Sequence, residues 1–193
     1  MDAKLNAKDL INVGLYTAIY FVVVFAVAMV GYIPVFIPLL SVLVPLIAGI
    51  PFMLFLTKVR KFGMALLMLT LYGIIRALFG GVWELLMAVV CGLISELILR
   101  ASRYGSVKMA VLAYGAASVT IFGNYIPIYI SRDAYYARII EGGMGLEYGD
   151  ALMRFMPDWS APALLVSCFV FGILGGLLGK AVLKKHFTRA GIA

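Results

Sequence analysis

Six apolar runs, at roughly 10–31, 37–57, 62–80, 82–100, 108–130 and 160–183, divide this chain. Each is close to the ~20 residues that a helix needs to cross a bilayer, and almost nothing is left over for a soluble domain. Of 193 residues, 64% are hydrophobic and 13% charged, with a mean hydropathy of +1.07. A globular surface takes about a quarter charged residues, so a water-soluble fold is excluded. The sequence predicts one all-α integral membrane domain over residues 1–193, with six transmembrane helices.

The basic residues fall between the runs and alternate. Lys4 and Lys8, then Lys58, Arg60 and Lys61, then Arg100, Arg103 and Lys108, then Lys180, Lys184, Lys185 and Arg189 mark every second boundary. Of the 16 Lys and Arg, only Arg76, Arg132, Arg138 and Arg154 lie elsewhere. By the positive-inside rule the crowded side is cytoplasmic, which places both termini there. The net charge of +7 therefore reads as orientation, with no nucleic-acid partner. The first run is longer than a signal-peptide core and lacks a small-residue cleavage site, so it is expected to remain as the first span.

Pro34, Pro38, Pro45 and Pro51 punctuate the second run; proline removes a backbone donor, and a bent helix with an irregular outer start is expected. Gly80 and Gly81 leave a tight turn between the third and fourth spans. One long segment lies outside, from about Ser131 to Trp159. In it Tyr148, Leu152, Phe155 and Met156 share a helical face after the break at Gly142, Gly143 and Gly145. A short amphipathic helix over the outer mouth, between the fifth and sixth spans, is the expectation.

Little here suggests catalysis. The only histidine is His186 in the tail; Cys91 and Cys168 sit in apolar runs and read as small buried hydrophobes. Glu84 and Glu96 lie on one helix, about 18 Å apart along it, and cannot share a metal or a proton. The tail GGLLGKAV lacks the Ser or Thr of a phosphate-binding loop. No cofactor or metal is expected, and an intramembrane enzyme is the weakest of three readings.

Binding is better supported, because ionisable residues at membrane depth are costly and face a cavity or a partner. Arg76 and Glu84 flank the glycine turn and are expected to form an ion pair, which either fastens the hairpin or serves a ligand. Asn124, Tyr125, Tyr129 and Arg132 end the fifth span, and an aromatic–polar cluster of this kind suits a small-molecule pocket. Tyr32, Tyr135, Tyr136 and Trp159 surround the same mouth from other segments, and Trp83 stands beside the ion pair; for these aromatics the interfacial belt is the alternative. Glu96 is read as structural, either snorkelling or pairing with a cytoplasmic base. Gly14 with Ala18, and Gly172 with Gly176 and Gly175 with Gly179, recur at four-residue spacing and allow close helix approach. For the last span internal packing is favoured; for Gly14 and Ala18 a partner protein is the alternative.

The opening KDLINVGLYTAIYFVVVF running into GYIP, the segment GLISELIL and the closing KKHFTRAGIA after a glycine-rich span resemble the substrate-binding (S) components of energy-coupling factor (ECF) transporters. The likeness is to the Trep_Strep, or MptD-type, family and covers nearly the whole chain. It implies an ABC-type importer in which this subunit captures a vitamin or other micronutrient. It also implies a transmembrane coupling (T) subunit, met through Gly14 and Ala18 where the group carries Ala-x-x-x-Ala, and two cytosolic ATPases. Substrate would bind in the outer half, under the loops that hold Tyr32, Trp83 and Arg132. A membrane accessory or scaffold subunit that binds a protein and imports nothing is the principal rival.

Overall fold

The computed structural model describes residues 5–58 and 60–189, the side chains of 186, 187 and 189 excepted. Lys4, the side chain of Arg189 and the closing residues 190–193 of the sequence readings lie outside it. Every regular element is helical among the described residues: α1 (Ala7–Ala28), α2 (Leu40–Lys58), α3 (Met64–Leu78), α4 (Val82–Ala101), α5 (Val107–Ser118), α6 (Ile126–Ile130), α7 (Arg132–Glu141), α8 (Leu146–Phe155), α9 (Ser160–Val182) and α10 (Lys184–Arg189), with short 3-10 turns at Met29–Tyr32, Pro34–Phe36 and Val119–Asn124.

Five helical stretches are long and apolar enough to cross a membrane: Ala7–Tyr32, Leu40–Lys58, Val82–Ala101, Val107–Asn124 and Ser160–Val182. The third expected span is shorter. Met64–Leu78 has 15 residues, about 22 Å of helix, against a hydrocarbon core of about 30 Å. Glycines with positive φ bound it, Gly63 at +92° and Gly80 at +89°, a conformation that side chains other than glycine disfavour.

Local rules explain the starts and bends. Asn6 and Asp9 close a capping box on α1, with Asp9 N donating to Asn6 Oδ1 at 3.0 Å and Asn6 N to Asp9 Oδ2 at 2.9 Å, which satisfies two otherwise orphaned donors. The irregular start of the second span is present as the Pro34–Phe36 turn, and Pro45 and Pro51 lie inside α2. The Pro45 carbonyl accepts from the Tyr114 hydroxyl at 2.6 Å.

The helix α9 is built inside out. Its buried residues are Ser160, Leu164, Cys168, Gly172, Gly175, Gly176 and Gly179, while Leu165, Val166, Phe169, Val170, Leu174, Leu177 and Leu178 are exposed. Small residues facing the bundle let backbones touch: a Cβ on Gly175 would stand 2.2 Å from the Pro45 oxygen, and one on Gly49 2.3 Å from the Gly175 carbonyl. The last-span glycines are thus internal packing, as expected. Gly14 is different, with open space around it, and Ala18 beside it is exposed. Ile11, Leu15, Val22 and Phe25 on the same helix are also exposed, an apolar exterior that suits lipid or a partner and no aqueous phase.

Two sets of contacts define the ends of the bundle. At the basic end, Lys61 pairs with Asp9 at 2.5 Å and Arg100 lies 4.8 Å from the centre of the Phe62 ring. There the buried Glu96 accepts from Ala65 N at 2.9 Å and Leu66 N at 3.3 Å and from the Tyr104 hydroxyl. Glu96 therefore caps the N-terminus of α3 from the neighbouring helix α4, a structural role as expected but through backbone amides in place of a base.

The opposite end carries the long connection between α5 and α9. One amphipathic helix was expected in it and two are present, because residues 132–141 also form a helix. Gly143 at φ +87° and Gly145 at φ +84° turn the chain between them. On α8, Leu152 is buried, as is Met156 just after it, while Phe155 is 41% exposed, so Phe155 leaves the expected inner face. Tyr148 Oη donates to the Gly31 oxygen at 2.8 Å and Tyr136 Oη to Asp150 Oδ1 at 2.7 Å. These bonds tie α8 to the end of the first span and to α7.

Candidate functional site

At the α7–α8 end, the α3–α4 hairpin organises a polar network. Gly81 N donates to the Arg76 oxygen at 2.8 Å, closing the turn, and this sets Arg76 and Glu84 at the same level. The expected ion pair forms: Arg76 Nε lies 2.6 Å from Glu84 Oε2, with the side chains 19% and 1% exposed. Tyr72 Oη donates to the other oxygen, Oε1, at 2.5 Å. Arg76 Nη2 reaches a third element and donates to Asn124 Oδ1 at 3.0 Å.

Asn124 arrives there because Gly123 has no side chain. A Cβ on Gly123 would lie 2.5 Å from Glu84 Cα and 2.8 Å from Glu84 N. The 3-10 turn Val119–Asn124 can thus cross the first turn of α4 in backbone contact, which a branched or larger residue would forbid.

Two hollows meet at this network. The larger, about 370 Å³, is lined by Arg76, Phe79, Trp83, Asn124, Tyr135 and Arg138 among others, with Pro127, Ile139 and Met144 completing its apolar wall. The smaller, about 20 Å³, lies between Phe21, Phe25, Val44, Tyr72, Glu84 and Tyr125, and again includes Arg76 and Asn124. Arg76 and Asn124 therefore separate an open basin from an apolar crevice with room for about one water molecule. A third hollow of about 360 Å³ shares Gly80, Trp83, Pro127, Tyr135 and Arg138 with the basin and adds Ser131.

The helix α7 covers the basin with one face. Tyr135, Arg138, Ile139 and Gly142 all line it, at the i, i+3, i+4, i+7 spacing of a single helical stripe. Arg138 holds its guanidinium 5.2 Å from the centre of the Tyr135 ring, within cation–π range. Burial raises the Tyr135 phenol above its ordinary value, against the pull of Arg138, so it stays protonated at neutral pH.

The residues expected to bind substrate divide into four groups. Arg76, Trp83 and Asn124 line the basin, and Glu84 and Tyr125 line the crevice. Tyr129 and Arg132 are engaged elsewhere: Tyr129 Oη and Ser160 Oγ lie 2.7 Å apart. Arg132 donates to the oxygens of Met153 and Met156 at 2.7 and 2.8 Å and to Asp158 at 3.1 Å, where it closes the C-terminal end of α8. Tyr125 is buried and donates to the Ile37 oxygen at 3.1 Å. Tyr32 and Trp159 are 63% and 75% exposed and line neither hollow. Sequence reasoning missed Tyr72, Phe79 and Arg138 as parts of the site; the α7 stripe was the available signal for Arg138.

A bundle of long apolar helices with a greasy exterior defines an integral membrane protein. A profile of the Trep_Strep family, described as a hypothetical bacterial integral membrane protein, matches residues 7–189. The chain belongs to that family and is a bacterial membrane protein. No curated protein and no solved structure matches it.

Proposed function

We propose that this chain is the substrate-binding subunit of an energy-coupling factor importer, and that it captures a vitamin or other micronutrient in the basin between α3, α4 and α7. The observation that carries this reading is the basin itself. Its volume of about 370 Å³ falls in the range of small-molecule sites, ~300–1,000 Å³, and at its floor a buried ion pair and an amide converge. The α7–α8 segment, fastened at both ends, serves as its cover.

In this reading the chain crosses the membrane six times with both termini cytoplasmic. The helix α3 makes the short crossing, extended by the turns on either side and by local thinning of the bilayer. The basin then opens outward, away from the basic end. Gly14 and Ala18, exposed on α1, form the contact with a transmembrane coupling subunit. Two cytosolic ATPases supply the energy, and this chain itself performs no covalent chemistry.

The test is purification from native membranes in mild detergent, with proteomics of the complex and mass spectrometry of small molecules released on denaturation. A coupling subunit, two ATPases and a retained micronutrient are expected. A complex without ATPases and without a small molecule refutes the importer reading and favours a protein-binding accessory subunit.

A further inference from the structure

Hydrogen-bonding capacity around the basin is one-sided. Glu84 accepts from Tyr72 on one oxygen and from Arg76 on the other, and it does not line the basin. Asn124 Oδ1 already accepts from Arg76. The donors are spent less fully. Arg76 uses Nε and Nη2 in these bonds, out of five N–H groups in a guanidinium. The Asn124 amide nitrogen, the Trp83 indole and the Arg138 guanidinium are further donors among the lining residues, beside the Tyr135 hydroxyl, which can donate or accept.

Charge is one-sided as well. Arg76 is balanced by Glu84. Among the described residues, no carboxylate pairs with Arg138, whose guanidinium stands over the Tyr135 ring. Among the described residues no Asp or Glu lines the basin, although Asp133, Glu141, Glu147, Asp150 and Asp158 stand in the connection between α6 and α9. A cationic ligand would face an uncompensated guanidinium. A neutral polyol would find few free side-chain acceptors for its hydroxyls, and buried polar groups without partners are costly.

We infer that the basin takes a small organic anion, its carboxylate or phosphate held by Arg138 and the Arg76–Asn124 floor, its flat body against Trp83, Tyr135 and Phe79. Guanidinium groups match such oxyanions in a bidentate fork, and aromatic faces supply apolar contact to a planar ring. This rests on the basin being the substrate site and adds the chemical class of what it binds.

The experiment uses full-length protein carrying Trp159→Phe, which leaves Trp83 the sole tryptophan of the two in the chain, in a detergent free of anionic lipid. Benzoate and benzamide, nearly equal in shape and different in charge, are titrated against Trp83 fluorescence. Benzoate should act at a concentration at least tenfold below benzamide, and added salt should narrow the gap. Arg138→Gln should abolish the preference and Arg138→Lys should keep part of it; circular dichroism confirms that each variant is folded. Equal responses to the two probes, or a preference that survives Arg138→Gln, overturn the proposal. Negative-ion mass spectrometry of the native preparation separates the sources of the anion: a small acid supports the proposal, and stoichiometric phosphatidylglycerol or cardiolipin overturns it. Absence of the ATPases would defeat the importer reading while leaving the benzoate preference intact.

Discussion

Replacing Glu84 by alanine tests whether the ion pair organises the basin. The substitution removes the acceptor for the Tyr72 hydroxyl at 2.5 Å and for Arg76 Nε at 2.6 Å. Arg76, 19% exposed, keeps only its bond to Asn124. Removing one partner of a buried pair costs about 3–5 kcal/mol, chiefly because the remaining charge is uncompensated. Since Arg76 reaches the basin and is partly hydrated, the lower figure of about 3 kcal/mol applies. At roughly 2–4 °C per kcal/mol for a chain of this size, the apparent melting temperature should fall by about 6–12 °C. The assay is thermal unfolding in detergent followed by intrinsic fluorescence. A triple variant, Tyr72→Phe, Arg76→Met and Glu84→Leu, leaves no buried group orphaned, since Asn124, which loses Arg76, is exposed to water; it should recover most of the lost stability while still losing the retained ligand. If Glu84→Ala melts like the wild type, or the triple variant melts lower still, the account of an uncompensated charge is refuted.

Other outcomes follow from the same packing. Glu96→Ala orphans the amides of Ala65 and Leu66 and removes an acceptor of the Tyr104 hydroxyl; it should cost about 1–3 kcal/mol and speed hydrogen exchange at the start of α3, with Glu96→Gln intermediate. Gly175→Leu places a side chain where even a Cβ would stand 2.2 Å from the Pro45 oxygen, and should abolish monodisperse protein on size exclusion, whereas Gly14→Leu, with open space around it, should leave folding unchanged. In a background lacking Cys91 and Cys168, a cysteine at Leu146 should react with an impermeant maleimide in intact cells, and one at Arg103 only after permeabilisation. The reverse pattern would invert the proposed orientation.

Much of the fold was legible because bilayer physics acts on short stretches of chain. Run length and boundary charge placed the starts of most helices within a few residues, and the proline-rich start of the second span was readable from composition alone. The short α3 was not, since its ends are decided by glycine φ angles and by a cap contributed from α4. The α7 helix was missed because Arg132, Asp133, Arg138 and Glu141 interrupt its apolar residues, which divide between the hairpin beneath and Gly149 of α8.

The candidate site was legible in part for a similar reason. Arg76 and Glu84 flank one turn, so their meeting follows from hairpin geometry. Arg132 and Tyr129 have the right chemistry and proximity in sequence, but their partners, Met153, Met156 and Ser160, lie more than twenty residues away. Among the described residues no carboxylate pairs with Arg138, which lines the basin beside the already paired Arg76.

The sequence by itself determined that this is a membrane bundle, because apolar length and the sidedness of charge are local quantities set by the solvent. Which polar groups are spent on the fold and which stay available was decided only in three dimensions. Hydrogen bonds saturate, and whether a donor is already used depends on elements brought together from distant parts of the chain.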